Sequence, residues 1–215
     1  MATDDKYIPA LWFDWLTPLY DPLLRWGMSE ETFKRDLIRN ARIQPGHRVL
    51  DLGCGTATLT ILVKQTHTDA EVIGLDGDPS VLEIGRAKAA KAEVEVMLDH
   101  GMAFQLPYPD NSFDRVLSSL VMHHLTNENK QRTFHEIHRV LRPGGELFVV
   151  DFGKPHSAYA RLLSPFVRRL EQAADNVNGL LPEMMRRAGF EQVEEPTHYT
   201  TMFGDLSLVR ARKRN

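Results

Sequence analysis

The clearest chemistry in the chain lies in Val49-Leu50-Asp51-Leu52-Gly53-Cys54-Gly55-Thr56-Ala57. An apolar run ends in a carboxylate and two closely spaced glycines, and a helical pattern follows. Gly53 and Gly55 allow a tight turn and let the backbone approach a bound molecule closely. A second carboxylate, Asp76, closes the next apolar run 21 residues after Gly55. In open parallel sheets an acid at that place accepts hydrogen bonds from ribose hydroxyls. The third glycine of a dinucleotide fingerprint is absent, because Thr58 holds its position. Asp51 would repel a pyrophosphate but suits a ligand that carries positive charge. No phosphate-binding P-loop occurs anywhere in the chain.

Histidines supply the second chemical candidate. His123 and His124, in Met122-His123-His124-Leu125, follow the fourth expected strand, where an imidazole can act as a general base. The plainer reading is that one or both order the loop. His135 and His138 share one helical face but have no third ligand nearby, so they read as surface residues and no metal site is expected. Cys54 is the only cysteine, which excludes an internal disulfide and suits a reducing compartment.

These residues need a scaffold, and periodicity supplies one. Strands are expected over 47–52, 71–75, 94–98, 113–120 and 146–152, alternating with helical patterns. That alternation predicts an α/β fold with a parallel sheet covered on both faces. A helix should begin near Thr56, with Leu59, Leu62 and Val63 on one face. Ser80 and Glu83 fit a capping box for the next helix. Phe134, Ile137, Val140 and Leu141 mark the buried side of another, which Pro143-Gly144-Gly145 ends. Beyond Phe152, a helix from about Ala158 should break at Pro165, and a shorter one should run from Leu181 to Ala188 and stop at Gly189. Final strands fit 192–197 and 206–211. Residues 1–40 are rich in aromatics and read as helices over one end of the sheet.

Composition narrows the class. Hydrophobic residues at 42% and charged residues at 26% are those of a globular protein. The net charge of -3 gives no reason to expect nucleic acid as a partner, and the basic cluster Arg210 to Arg214 reads as a solvated tail. No apolar stretch approaches the ~20 residues of a membrane span, and the N-terminus has no signal-type apolar run. A cytoplasmic protein without an integral membrane segment is expected. Nothing in the sequence specifies an oligomeric state.

Several of these motifs together resemble the class I S-adenosylmethionine-dependent methyltransferases. Asp51 to Thr56 resembles their motif I, and Leu75-Asp76 the acidic end of their second strand. Residues 106–114 resemble the run from their adenine loop into the fourth strand. Leu141-Arg142-Pro143-Gly144-Gly145 resembles the turn before their fifth, and Ala188-Gly189-Phe190 also fits. The resemblance implies a Rossmann-like three-layer sandwich whose mostly parallel seven-stranded sheet has an antiparallel last strand. It implies one domain over 1–215, with an N-terminal helical lid (1–40), a cofactor-binding core (41–152) and substrate-side helices with the final strands (153–215).

The cofactor implied is S-adenosylmethionine, whose ammonium and sulfonium suit Asp51. Gly53, Cys54 and Gly55 would approach its methionine part, Asp76 its ribose, and Gly77 and Asp78 its adenine. Ser119 and Leu120 would face the methionine end. Many relatives carry Gly-Asp-Ala where this chain has Gly101-Met102-Ala103. Here Met102 would pack on the adenine edge and the Ala103 backbone would make the polar contact. Ala57 replaces the third glycine of motif I.

Phe13-Asp14, Tyr20-Asp21, Gly27-Met28 and Phe33 resemble the entry segment of ubiquinone/menaquinone C-methyltransferases, which folds over the cofactor. Tyr20 is the lid residue assigned to the transfer step alongside His123 and His124. The tryptophans at 12, 15 and 26 read as aromatic packing or as a lipid-facing surface. Those enzymes carry an Arg-Asn pair after the fourth strand, where this chain has Val121-Met122-His123-His124. The expected function is therefore methyl transfer to O, N or activated C of a small molecule. The alternatives are a cofactor-binding protein without turnover, and a methyltransferase acting on a protein or nucleic acid.

Overall fold

Apolar residues run almost unbroken through the central strands because both faces of a parallel sheet are covered. The computed structural model describes residues 30–167 and 173–215. Its strands are β1 (Arg48–Leu52), β2 (Glu71–Asp76), β3 (Met97–His100), β4 (Phe113–Ser119), β5 (Leu141–Phe152), β6 (Glu191–Thr201) and β7 (Gly204–Arg212). They form one seven-stranded sheet in the order β3-β2-β1-β4-β5-β7-β6. β1 to β5 pair in parallel, and β7 lies antiparallel between β5 and β6. The fold is the Rossmann-like sandwich that the sequence implies. The strand order reverses between β1 and β4, and the crevice outside their carboxyl ends is where such sheets bind ligands.

The helices are α1 (Glu30–Ala41), α2 (Thr58–Thr66), α3 (Pro79–Lys91), α4 (Asn127–Val140), α5 (Ala158–Val167), α6 (Ala174–Val177) and α7 (Leu181–Arg187). On one face Phe134 and Ile137 of α4 and Met184 and Met185 of α7 pack on Leu50, Leu52, Ile73 and Val116. On the other, Phe33 and Leu37 of α1 and Leu59 and Val63 of α2 pack on Val49, Leu117, Phe148 and Val150. Each fully buried side chain of this size contributes about 1.5–3 kcal/mol. The described part of the N-terminal region, α1, therefore covers a face of the sheet rather than its end.

Several local expectations differ from the structure for identifiable reasons. β3 begins at Met97, not Val94, because the C-terminus of α3 uses residues 92–94 as its cap: Glu93 is left-handed (φ 54°) and Val94 N donates to Ala89 O. Asp78, not Ser80, caps α3, accepting from the Ser80 amide at 2.8 Å with Pro79 in the first turn. α5 runs through Pro165, and the Ser164 hydroxyl donates to the Arg161 carbonyl that the proline cannot serve. The basic cluster is no tail: Arg210 and Arg212 belong to β7, Arg210 pairs with Glu146, and Lys213 Nζ donates to Leu141 O. His138 is half-buried, its ring edge-on to Phe190 at 5.1 Å.

Candidate active site

Two backbone bonds shape the turn after β1. The amides of Gly53 and Cys54 both donate to Leu75 O, at 2.8 and 3.0 Å, tying the turn to the end of β2. Gly53 has φ +70°, and a Cβ there would stand 2.3 Å from Val121 Cγ2, so only glycine fits. Asp76 then locks the second half of the turn. Its Oδ2 accepts from Gly55 N at 2.8 Å and its Oδ1 from Asp78 N at 2.9 Å. Each oxygen keeps a lone pair for a further donor. Burial pushes the Asp76 carboxyl above its ordinary value against these backbone bonds. His100 Nε2 lies 3.1 Å from Gly77 O, which holds the loop after β2 against the end of β3. The Cys54 thiol points into the apolar cluster of Leu82, Ala89 and Leu98 and burial pushes its pKa up, so only the Cys54 backbone belongs to the turn.

Beneath the turn, Asp51 is 1% exposed and accepts from the Thr60 hydroxyl at 2.6 Å. Burial raises its pKa to about 6, opposed by the Thr60 bond and the positive charge of Lys34. A carboxylate held at this cost is one that a cationic ligand would stabilise.

The ends of β4 and β5 complete the crevice. Ser119 Oγ is buried and has no hydrogen-bond partner among the described residues. Leu120 is left-handed (φ 60°), a conformation that costs a non-glycine residue roughly 1–2 kcal/mol. Strain of this kind clusters at functional sites. It turns the chain from β4 into a single 3-10 turn, Met122–His124. There His123 Nδ1 lies 2.9 Å from Asp151 Oδ1, and the His123 and His124 rings lie tilted against each other with their centroids 4.0 Å apart. Asp151 is 1% exposed near the end of β5. Burial alone would raise its pKa, but the histidine and its other hydrogen bonds outweigh that and hold it below the usual carboxylate range.

Met102 and Ala103 follow β3 at the other side of the crevice, both half-buried, with Gly101 N bonded to Asp76 O at 3.0 Å. The loop they open is clamped from α4. Arg139 donates to the carbonyls of Leu106 and Tyr108 and to Asp110, while Glu136 accepts from Leu106 N at 2.7 Å.

The comparisons with known proteins agree with this geometry. Residues 49–145 match a family model described as a methyltransferase domain. A demethylmenaquinone methyltransferase of Symbiobacterium thermophilum is 35% identical over 73% of this chain, which spans 63% of that protein. One from Listeria monocytogenes is 30% identical over 86% of this chain and 88% of its own length. The chain is a class I S-adenosylmethionine-dependent methyltransferase. The methyltransferase SibL, solved in its apo form, superposes with a TM-score of 0.72 at 22% identity, over 97% of this chain and 60% of its own. The enzyme's cofactor is S-adenosylmethionine, and its reaction is methyl transfer to a small molecule.

The residues present fit that cofactor. The site offers two carboxylates to a ligand with a cationic end and a ribose, an open backbone at Gly55 where nothing stands within 4 Å of a Cβ, and the buried Ser119 hydroxyl. Asp51, Gly53, Gly55, Asp76, Gly77, Asp78, Met102, Ala103, Ser119, Leu120, His123 and His124 all gather at the carboxyl ends of β1 to β4. Tyr20 lies outside the described residues. Sequence reasoning missed Asp151, Asn176 and Thr60. A signal existed for the first: Asp151 is the one acid inside the apolar run Leu147 to Phe152. Thr60 and Asn176 sit in ordinary helical segments and become site residues only by packing. Among the described residues, no helix is long and apolar enough to cross a membrane.

Proposed function

We propose that this methyltransferase acts on a small aromatic hydroxyl compound of the phenol or hydroquinone type, with His123 as the base. The observation that carries the reading is the His123–Asp151 contact of 2.9 Å at the carboxyl end of the sheet, beside the glycine turn. A histidine paired with a buried carboxylate suits an acceptor that must lose a proton before it attacks. Bound S-adenosylmethionine supplies an electrophilic methyl on a sulfonium. Asp51 holds the cationic end of the cofactor and Asp76 its ribose, while Met102, Ala103, Gly77 and Asp78 border its adenine. His123 Nε2 takes the hydroxyl proton as the acceptor's oxygen, or the ring carbon it activates, forms the new bond to methyl; in the carbon case that carbon's own hydrogen then leaves as a proton to solvent and the aromatic ring is restored. The methyl–sulfur bond breaks and leaves a neutral thioether. The half-buried setting of His123 limits water at that proton transfer.

The demethylmenaquinone methyltransferases among the relatives support a hydroxylated ring as the acceptor class. The net charge of -3 favours a small molecule over nucleic acid. The single buried cysteine suits the cytoplasm. We read 1–215 as one methyltransferase domain, with Tyr20 in the lid and His124 as the ring that supports His123.

Calorimetry with S-adenosylmethionine and S-adenosylhomocysteine tests the cofactor roles. Asp76→Ala should weaken binding at least about tenfold, or ~1.4 kcal/mol. Methyl transfer to a naphthohydroquinone, a phenol and an amine then tests the acceptor class. Turnover of the amine alone would overturn the proposal.

A further inference from the structure

We infer that Asp151, braced by Asn176, is a positioning residue that keeps the His123 proton on Nδ1 and leaves Nε2 free to act as the base. This rests on the base role proposed above. The argument is a count of donors. Asp151 Oδ1 receives three contacts, from Phe152 N at 2.8 Å, Asn176 Nδ2 at 2.8 Å and His123 Nδ1 at 2.9 Å. Its Oδ2 receives Met122 N at 2.8 Å. Two of these partners are backbone N–H groups, which can only donate, so the carboxyl must accept from both sides. An ionised carboxylate has no proton to offer the imidazole. His123 Nδ1 therefore carries the hydrogen, and in the neutral ring the lone pair is on Nε2.

The surroundings keep the ring in that orientation. Asn176 is fully buried, and turning its amide over would set its oxygen against the carboxylate. The Phe152 ring meets His123 edge-on at 5.0 Å, and the tilted His124 ring lies beside it with centroids 4.0 Å apart. The 3-10 turn that carries His123 is closed by His124 N to Val121 O and Leu125 N to Met122 O. Among the described residues, no hydrogen bond reaches His123 Nε2. When Nε2 takes a proton, the imidazolium stands directly against a carboxylate already aligned, so little reorganises during the step. Asp151 touches neither substrate nor cofactor in this scheme and works through His123.

The test pairs a spectrum with kinetics. Long-range proton–nitrogen correlation on nitrogen-labelled protein reads the His123 tautomer, with His123→Gln identifying the signal. The wild type should show Nδ1–H. Asp151→Asn, which puts an amide donor opposite Nδ1, should move the proton to Nε2. With S-adenosylmethionine and a naphthohydroquinone as probe, that variant should lose about 100-fold or more in kcat. Its KM for the probe and its cofactor Kd should stay within about threefold, and combining it with His123→Gln should add little further loss.

A wild-type protein with its proton on Nε2 overturns the inference, as does an Asp151→Asn variant that keeps the wild-type tautomer. Should that variant not fold, the wild-type spectrum decides alone. Full turnover by His123→Gln would instead overturn the base role itself. That failure is told apart because the tautomer signal does not depend on turnover.

Discussion

Asp51→Asn should make the cofactor-free enzyme more stable at neutral pH while impairing its function. Asp51 is buried, and burial lifts its pKa from the ordinary 3.8 to about 6. Between those two values the folded protein holds a proton that the unfolded chain has released. Stability therefore falls as pH rises from about 4 to about 6, and is level above that. A displacement of about two pKa units corresponds to ~3 kcal/mol. Asparagine keeps the Thr60 bond and does not titrate, although its buried amide hydrogens cost about 1–3 kcal/mol where unpaired. The difference between variant and wild type, rather than either absolute value, isolates the charge. It should shift by ~2–2.5 kcal/mol in the variant's favour from pH 4 to pH 7, or roughly 4–10 °C in Tm for a domain of this size. Thermal unfolding without cofactor, measured across that range, reads it directly. Calorimetry should show the reverse for function: wild-type affinity for S-adenosylmethionine falls below about pH 6 as the carboxylate is neutralised, and the variant binds weakly throughout. Parallel stability curves for the two proteins would refute the reasoning.

Gly53→Ala should destabilise the fold by about 2–5 kcal/mol, from a left-handed backbone and a clash with Val121. Adding Val121→Ala should recover the clash part but not the backbone part, which a double-mutant cycle in thermal unfolding separates. Arg139→Met should weaken S-adenosylmethionine binding by about 1–2 kcal/mol by calorimetry, because it frees the loop carrying Leu106 and Tyr108 and leaves their carbonyls without the guanidinium. A cofactor affinity equal to the wild type's would mean that the loop after Met102 does not shape the site.

Much of the cofactor side was legible because it is written in consecutive residues. The strand–turn–helix unit at 49–57 and the acid ending the next strand state their chemistry through local spacing, and the structure sets them where the parallel sheet requires. Unbroken apolar runs likewise announced the covered sheet, since a strand buried on both faces has no polar side. Local signals failed where two neighbours compete for one role. Ser80 and Asp78 both suit an N-cap, and the loop geometry after β2 chose Asp78. Val94 suits a strand, but the left-handed cap of α3 took it.

The sequence alone determined the family and the cofactor, and it singled out Asp51 and Asp76. Only the tertiary structure decided what those groups become. Thr60, nine residues from Asp51, supplies the hydroxyl that restrains a buried carboxylate. Asp151 meets His123 across a separation of 28 residues, and Asn176 meets Asp151 across 25, each from a different element. A hydrogen bond depends on distance and direction in space, and a chain that crosses back and forth through a sheet does not preserve sequence order there. Burial follows the same rule, because the pKa of Asp51 is set by everything packed around it rather than by its neighbours in the chain.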